Sequence, residues 1–423
     1  MIVMGGIIGG GIFVNTAEVA RRTQMATLSN LSWAVGGLIA LIGAFVYAEL
    51  AARRPAVGGQ YAYLRDAYHP LVAFLYGWTL LLVVQTGGMA AAAMIFGRYT
   101  RELTGTAAPE AAIAVVTLMS LTVVNCIGVK AGSNVQSALM VVKLVAIATL
   151  VYFGLDPRHP AVSVPAQSLT PTTTAPIALL TALVPIMFTY GGWQTASFVS
   201  GEMRDPTRDL PRGLILGVIG VITVYLLVNF ASLHALGING LMGSKAPASD
   251  VMRLSFGAAG GRFIATAIAI STVGFLSQSM LTAPRVYYAM AKDGVFFERV
   301  GRLGARSHVP VAAIVLQGVT ASVIALWGRF DQVLNYVVSI DVLFFGLTGA
   351  ALLVYRRRAA SEPPPPIRVP LHPITTMAFV AACWAIAITT ILSAPHDAGG
   401  GVVILALGVP VYFWWTRNGL RTT

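Results

Sequence analysis

Long apolar runs alternate with short polar or Pro- and Gly-rich segments along the whole chain. Most of the runs approach the length of about 20 residues that a helix needs to cross a bilayer. The pattern therefore predicts an all-α integral membrane protein with twelve spans. Numbered in chain order, and kept under these numbers below, the predicted spans are 1–18, 29–52, 69–98, 110–127, 134–154, 177–200, 212–235, 259–290, 309–327, 332–355, 373–393 and 400–416.

The composition agrees with this pattern. Of the 423 residues, 56% are hydrophobic and only 10% are charged, whereas soluble domains carry roughly 25% charged residues. The first run has neither a basic segment before it nor a cleavage site after it, so no cleavable signal peptide is predicted. Both cysteines, Cys126 and Cys383, fall inside predicted spans, which argues against a structural disulfide.

The net charge of +12 indicates orientation in the bilayer rather than binding to nucleic acid. With both termini placed in the cytoplasm, the predicted inner loops carry almost twice as many Lys and Arg residues as the outer loops. Cytoplasmic loops of membrane proteins are enriched in these residues. We therefore predict a multi-pass protein of the inner (plasma) membrane with both termini inside.

Two spans contain glycines where a continuous helix would be expected. Span 1 contains "GGIIGGGIF", Gly5 to Phe13, and span 6 contains "MFTYGGWQTASF", Met187 to Phe198. A break frees backbone N–H groups, which suit a carboxylate, and carbonyl groups, which suit an ammonium group. Two breaks five spans apart indicate an inverted-repeat transporter with a site at the membrane midplane. The alternative is that these glycines only allow close helix packing.

Five stretches resemble the amino acid–polyamine–organocation transporter superfamily, and within it the L-type amino acid transporters and their bacterial relatives. "GGIIGGGIF" is similar to the family motif G-x-I-I-G-S-G-I-F, with Gly10 in place of the usual serine. The others are "YAEL…GGQYAYL" between Tyr47 and Leu64, "FTYGGWQTASFVSGEMRDPTRDLPRGL" from Phe188 to Leu214, "PRVYYAMAKDG" from Pro284 to Gly294, and the tail from Arg368 to Trp415.

The resemblance implies a LeuT-type fold of five plus five inverted spans, with spans 1 and 6 unwound at mid-membrane. Residues 1–154 would form the first repeat, residues 177–355 the second, and residues 373–416 two peripheral helices. Spans 1, 2, 6 and 7 would form a moving bundle, spans 3, 4, 8 and 9 a scaffold, and spans 5 and 10 gating arms. The implied substrate-binding residues are Ile8, Gly9, Gly10, Gly11, Phe188, Tyr190 and Gly191, with Phe188 also acting as a thin outer gate.

Two charged residues, Lys143 and Asp341, lie near the middle of predicted spans, where a charge indicates function by default. Lys143 of span 5 stands, by the resemblance, where sodium-coupled relatives bind sodium. This position predicts sodium independence and leaves open whether Lys143 carries a coupling proton or is structural. Asp341 of span 10 is placed to attract a polar or cationic substrate side chain or to take up a proton. The alternative for Asp341 is a carboxylate bonded to neighbouring helices.

Charged residues near the predicted inner ends of spans 2, 6 and 8 are candidates for an inner gate. They are Glu49, Glu202 and Arg285, with Arg204 and Arg208 nearby. The alternative is a solvated rim that sets topology. Neither metal-ligand spacing nor a nucleotide or nucleophile motif is evident, so no metal, cofactor or enzymatic activity is predicted. The glycine-rich stretch 257–263 is expected to be a turn in an outer loop.

The sequence thus predicts a secondary active transporter of small or medium neutral L-amino acids. It would work by alternating access, as a sodium-independent exchanger or a proton symporter. A cationic amino acid or polyamine carrier, favoured by Asp341, and a non-transporting amino acid sensor are the alternatives. The outer loop from Arg98 to Glu110 contains no cysteine, so no disulfide-linked ancillary subunit is expected. Only "MIVM" precedes the first motif, which suggests that the natural gene starts further upstream.

Overall fold

A computed structural model describes residues 2–54, 58–128, 133–157, 174–203, 205–304, 309–358 and 365–419. Every regular element in these ranges is helical. The α-helices are α1 Ile2–Ile7, α2 Ile12–Thr23, α3 Ala26–Arg53, α4 Gln60–Ala67, α5 Pro70–Thr79, α6 Gln85–Thr104, α7 Glu110–Ile127, α8 Ser133–Gly154, α9 Ala175–Tyr190, α10 Pro206–Gly243, α11 Pro247–Thr282, α12 Pro284–Lys292, α13 Val311–Trp327, α14 Phe330–Arg358, α15 Ile374–Ser393 and α16 Pro395–Gly419. A π-helical turn, Leu80–Val84, joins α5 to α6, and 3₁₀ segments occupy Trp193–Glu202 and Glu298–Gly301.

The predicted all-α membrane fold is confirmed. Nine helical segments of the described chain are long and apolar enough to cross a membrane, and Leu139–Gly154 and Val311–Trp327 are shorter apolar helices. The broken pair α1 and α2 makes up span 1. The end of the bundle that carries the Arg-rich end of α14 is predicted to face the cytoplasm. We call it the inner end and the opposite one the outer end.

The helix boundaries differ from the sequence prediction at three places. Helix α4, in the loop after span 2, was not predicted. Span 1 continues to Thr23 rather than ending at residue 18. The expected turn at 257–263 is confined to Gly257, which leaves the helical conformation with φ 57° and separates two helical pieces of α11. Gly237, with φ 64°, similarly bends α10 without ending it.

The helices pack in two groups that match the bundle and scaffold implied by the resemblance. Helix α3 packs against α9 and α10, and α2 packs against α9 and α10, which brings spans 1, 2, 6 and 7 together. Helix α6 packs against α7, α11 and α13, which brings spans 3, 4, 8 and 9 together. Helix α14 lies alongside both groups and against α15 and α16. The interface between the two groups therefore runs past the broken helices.

The two breaks lie in direct contact. Helix α1 ends at Ile7 and α2 begins at Ile12, while α9 ends at Tyr190 and the 3₁₀ segment begins at Trp193. Gly192 has φ 104°, and a Cβ added to it would lie 2.2 Å from the carbonyl oxygen of Gly6. Only glycine permits both this backbone conformation and this close approach. The prediction that spans 1 and 6 are unwound near their middles is therefore confirmed.

Candidate substrate site between the broken helices

A cavity of about 80 Å³ lies between the two breaks, with walls from spans 1, 3, 6, 8 and 10. The breaks contribute backbone from both helices. The side chains of spans 3, 8 and 10 complete the opposite wall. The predicted site residues that line the cavity are Gly9, Gly10, Gly11, Phe188, Gly191 and Asp341. The structure therefore brings most of the predicted substrate-binding residues together around one space.

The break in span 1 leaves backbone donors facing this space. Within the described residues, the N–H groups of Gly10 and Gly11 donate no hydrogen bond, whereas their carbonyl oxygens accept from Phe13 and Asn15. These N–H groups lie at the start of α2, where the helix dipole favours negative charge. The arrangement suits a carboxylate group of a small ligand.

Gly10 occupies a tight position. A Cβ added to it would lie 2.6 Å from Cγ2 of Ile95 and 3.0 Å from Oγ1 of Thr272. Since both contacts are shorter than ordinary van der Waals separations, a side chain at this position requires a neighbour to move. The departure from the family motif at Gly10 thus has a physical reason in this chain: the volume that a serine would use is filled by Ile95.

Lys143 is buried and binds the broken part of span 1. Its Nζ donates a hydrogen bond of 2.8 Å to the carbonyl oxygen of Ile8, and the side chain is 4% exposed. Ile8 itself is fully buried and contributes its carbonyl to this contact rather than its side chain to the cavity. A fixed ammonium group therefore satisfies a carbonyl that the helix break would otherwise leave without a donor.

Asp341 is the only charged residue among those that line the cavity. Within the described residues, no group donates a hydrogen bond to its carboxylate. The alternative considered from the sequence, a carboxylate bonded to neighbouring helices, therefore has no contact to support it. Gln85 of span 3 lines the same cavity, so the side-chain end of the site carries one acid and polar amide groups on otherwise apolar walls.

Span 3 contains a π-helical turn directly before Gln85, which the sequence did not reveal. Tyr336 of span 10 donates a hydrogen bond of 2.7 Å to the carbonyl of Leu82 within this turn. Thr86 donates to the carbonyl of Leu81 at 2.8 Å. Because a π-turn frees carbonyls and rotates the residues that follow it, such turns often occur at functional sites. Here the turn sets which residues of span 3 face the cavity.

The two aromatic residues predicted for the site have different surroundings. Phe188 is partly buried and lines the cavity. Tyr190 does not line it: its hydroxyl donates to the carbonyl of Trp33 at 3.3 Å, and its ring packs edge-on against the Trp33 ring at 5.7 Å. The proximity of Phe188 agrees with a gating role, whereas the side chain of Tyr190 supports the break from behind.

The charges at the inner end form a different cluster from the predicted one. Glu49 is fully buried and accepts hydrogen bonds from Arg53 at 2.9 and 3.0 Å and from Arg356 at 2.6 and 2.8 Å. The backbone N–H of Val369 also donates to Glu49, at 2.8 Å. We call these residues the Glu49 cluster. It joins span 2, span 10 and the connector before span 11. Nothing in the run Arg356–Arg358 distinguishes Arg356 from its two neighbours before the fold is known.

Among the other predicted inner-gate residues, Arg285 donates a hydrogen bond to the carbonyl of Leu281 within its own span. Arg208 is exposed and lies 3.9 Å from Asp205. Glu202 ends the 3₁₀ segment, but its side chain and all of Arg204 lie outside the described residues. The described contacts thus do not join Glu49 to Arg285.

A second contact at the inner end was missed from the sequence. Asp293, in the loop after α12, accepts hydrogen bonds from the hydroxyl of Tyr61 at 2.8 Å and from Nη1 of Arg65 at 2.7 Å. Tyr61 and Arg65 belong to α4, so this contact ties the loop after span 2 to the end of span 8. We call it the Asp293 contact.

At the outer end, polar contacts join span 1 to its neighbours. Asn15 donates to Oγ1 of Thr189 at 2.7 Å, which connects the two broken helices beyond the cavity. Tyr99 of span 3 donates to the carbonyl of Phe13 at 3.2 Å. Arg21 donates to the carbonyl of Ser244 at 2.6 Å. Of these contacts, the one between Tyr99 and Phe13 joins the scaffold to the bundle on the outer side of the cavity.

No group of three or more His, Cys, Asp or Glu side chains that could hold a metal ion occurs in the described ranges. Cys126 and Cys383 are both free thiols.

Comparisons with known proteins agree with the geometry of the site. A family model described as amino acid permease matches residues 1–413. The serine/threonine exchanger SteT of Bacillus subtilis is 28% identical over 419 residues, covering 97% of this chain and 94% of its own length. The human large neutral amino acids transporter small subunit 2 is 30% identical over 430 residues, covering 97% of this chain and 78% of its own.

The human cystine/glutamate transporter is 28% identical over 425 residues, covering 97% of this chain and 83% of its own length. All three relatives are amino acid transporters by name, and each matches nearly the whole chain rather than one segment. Together with two helices broken around a central cavity, these matches show that the chain belongs to the amino acid permease family.

Proposed function

We propose that this protein exchanges small or medium neutral L-amino acids across the membrane by alternating access, without sodium. The class of activity, amino acid transport, is inferred from its membership of a family of amino acid transporters. The observation that carries the site is the pair of unbonded N–H groups at Gly10 and Gly11 beside the contacting breaks. These donors would bind the substrate carboxylate, while carbonyl groups of the breaks would bind its amino group.

The contact made by Lys143 supports sodium independence. Its ammonium group already donates to the Ile8 carbonyl at 2.8 Å. A carbonyl freed by a broken helix is a typical ligand for a coupling sodium ion. Because a covalently attached cation contacts this carbonyl, the break is stabilised here without a metal ion.

The size of the cavity supports small or medium neutral amino acids as substrates. Its walls contain several glycines together with Val84 and Ala92, and its volume is about 80 Å³. Such a space favours a short side chain over a bulky one. The name of the bacterial relative, a serine/threonine exchanger, agrees with this preference.

Uptake into proteoliposomes tests the proposal. Vesicles with and without internal L-serine or L-alanine would receive the labelled amino acid outside, in sodium-free buffer. We expect uptake only when unlabelled amino acid is present inside, and no increase when sodium is added. Equal uptake into empty and loaded vesicles in the absence of any gradient would contradict exchange, and binding without flux would favour the sensor alternative.

A cationic amino acid or polyamine carrier is the second candidate, because Asp341 presents an unbonded carboxylate to the cavity. Arginine, lysine and putrescine would then compete with labelled alanine at concentrations similar to those at which serine competes. We expect serine to compete at least tenfold more effectively than any of the three. The reverse order would favour the cationic carrier.

The orientation and the organisation of the chain complete the proposal. We place the protein in the inner (plasma) membrane, with both termini and the Glu49 cluster on the cytoplasmic side. Residues 1–154 and 177–355 would be the two inverted repeats, and residues 373–416 the peripheral helices. No disulfide-linked subunit is proposed. Labelling of a cysteine introduced at Gly294 only after permeabilisation of intact cells would support this orientation, and labelling of intact cells would contradict it.

A further inference from the structure

Four buried polar side chains lie on the inner side of the cavity. They are Tyr47 of span 2, Gln60 of α4, Tyr76 of span 3 and Tyr287 of α12, and each is at most 1% exposed. The hydroxyl groups of Tyr76 and Tyr287 and the amide oxygen of Gln60 have no hydrogen-bond partner in the described part of the chain, and the hydroxyl of Tyr47 lies beside Thr348. We call these four residues the polar layer.

The polar layer begins beside Asp341. The ring of Tyr76 packs edge-on against Phe344 at 5.4 Å, and the ring of Tyr47 packs edge-on against Phe345 at 6.3 Å. Both phenylalanines lie one helical turn from Asp341 toward the inner end. Tyr287 belongs to the same buried cluster as Tyr76 and Phe344. The layer therefore packs against span 10 directly below the cavity.

The layer reaches toward the inner end through Gln60. Its Nε2 donates to Oγ1 of Thr348 at 3.0 Å and to the carbonyl of Phe344 at 3.3 Å. Thr348 lies two turns beyond Asp341 on span 10, about 10 Å further along the helix. The neighbour of Gln60 in α4 is Tyr61, which takes part in the Asp293 contact. The polar layer thus fills the distance between the cavity and the closure of the inner end.

The charge of Asp341 is not balanced by a neighbouring side chain. From the helices packed against span 10, the titratable groups that interact with it electrostatically are Tyr47, Tyr76 and Cys383. None of these is basic. Asp397 of α16 lies closer to the outer end, where it accepts a hydrogen bond from Asn335 at 3.0 Å. A partly buried carboxylate without a cationic partner can accept a proton or a cationic ligand.

Packing alone does not explain tyrosine in this layer. Phenylalanine would fill the same volume without burying a hydroxyl that lacks a partner, and such a hydroxyl lowers stability. Tyr47, on span 2, belongs to the bundle, and Tyr76, on span 3, belongs to the scaffold. The polar layer therefore crosses the interface between the two groups. When the two groups separate at the inner end, these hydroxyls become accessible to water and gain hydrogen-bond partners.

We propose that Asp341 binds and releases a proton during the transport cycle, and that the polar layer conducts this proton to and from the cytoplasm when the inner end opens. A proton from cytoplasmic water adds to a layer hydroxyl, which passes its own proton toward Asp341, and the carboxylate becomes a carboxylic acid. Release runs through the same groups in reverse. The proposal rests on the proposed transport function, and adds a coupling ion and its path.

The variant Tyr76→Phe tests the path, because it removes one hydroxyl and keeps the ring. Tyr63→Phe is the matched control. Tyr63 is also fully buried with an unpartnered hydroxyl, and its ring likewise packs against Tyr47, at 6.4 Å. Its hydroxyl, however, interacts electrostatically with Tyr355 rather than with Asp341. Tyr47→Phe provides a second variant of the layer.

Two measurements in proteoliposomes separate the possibilities. In vesicles loaded with unlabelled L-alanine, counterflow of the labelled amino acid at equal pH reports exchange, and the acceleration of this uptake by an inward proton gradient reports coupling. We expect Tyr76→Phe and Tyr47→Phe to reduce this acceleration at least fivefold while counterflow at equal pH stays within twofold of the unmodified protein. Tyr63→Phe should leave both rates within twofold. Retained counterflow also shows that each variant is folded.

Two results would overturn the proposal while leaving the transport function intact. One is strong counterflow by the unmodified protein with no response to a proton gradient. The other is equal behaviour of Tyr76→Phe and Tyr63→Phe in both measurements. Absence of counterflow from the unmodified protein would instead contradict the proposed function, and this proposal would fall with it.

Discussion

The Glu49 cluster predicts a specific loss of stability when Arg356 is replaced by methionine. Arg356 donates two hydrogen bonds to Glu49, at 2.6 and 2.8 Å, and Glu49 is fully buried. Hydrogen bonds to charged groups contribute about 1.5–3 kcal/mol each to the free energy of unfolding. Because the Arg356 side chain is 22% exposed and Glu49 keeps its contacts with Arg53 and Val369, we expect the lower part of the summed range for the two bonds, about 3–4 kcal/mol in total.

Thermal unfolding in detergent measures this loss. For a chain of this length, 1 kcal/mol corresponds to roughly 1–2 °C in the unfolding midpoint, half the shift seen in domains of about 200 residues. Arg356→Met should therefore lower the midpoint by about 3–8 °C. Arg357→Met is the matched control, since Arg357 is exposed and makes no hydrogen bond or ion pair within the described residues. It should change the midpoint by less than about 1 °C.

Salt distinguishes a buried cluster from a surface ion pair. Exposed pairs weaken strongly as ionic strength rises, whereas buried pairs are screened much less. The difference between Arg356→Met and Arg357→Met should therefore persist in concentrated salt. Equal midpoints for the two variants, or a difference that disappears with salt, would refute the assignment of the Glu49 cluster as a buried structural contact.

Three further changes have defined outcomes. Lys143→Gln removes a charged donor to the Ile8 carbonyl, and such a hydrogen bond contributes about 1.5–3 kcal/mol. We therefore expect the rate of counterflow to fall roughly ten- to hundredfold. A rate within twofold of the unmodified protein would show that the ammonium group is dispensable. Gly88→Ala adds a methyl group where no atom lies within 4 Å of its Cβ position. The cavity should narrow without loss of folding, and competition assays should then show a shift from threonine toward glycine and alanine. Asp293→Asn weakens the contact with Arg65, so we expect faster modification of a cysteine introduced at Tyr76, and an unchanged rate would argue against a closing role.

The sequence was sufficient to predict the features that have a strong local signal. Apolar length predicted the spans, and glycine pairs in apolar surroundings predicted the breaks near Gly10 and Gly192, because few other arrangements tolerate glycine at mid-membrane. Lys143 was selected because a charge in the bilayer is costly. Its partner, the Ile8 carbonyl, could not be derived from the spacing of residues along the chain.

The features that the sequence did not predict depend on contacts between distant segments. Arg356 is one of three adjacent arginines, and only the fold shows that it is the one that reaches Glu49. The π-turn before Gln85 has no distinctive residues, since Leu and Val are equally compatible with an α-helix. The partners of Asp293 lie on a short helix whose amphipathic pattern is too brief to recognise. In each case a tertiary contact, rather than a local preference, decides the structure.

The close approach of Ile95 to Gly10 has a consequence for how this sequence can change. The motif that the first break resembles has serine at the position of Gly10, but here a Cβ would lie 2.6 Å from Ile95 Cγ2. A serine at position 10 therefore requires Ile95 to move, and a smaller residue at position 95 would remove this contact. The serine should be tolerated better after the change at position 95 than before it. Positions 10 and 95 should accordingly vary together among close relatives, as a small residue opposite a large one.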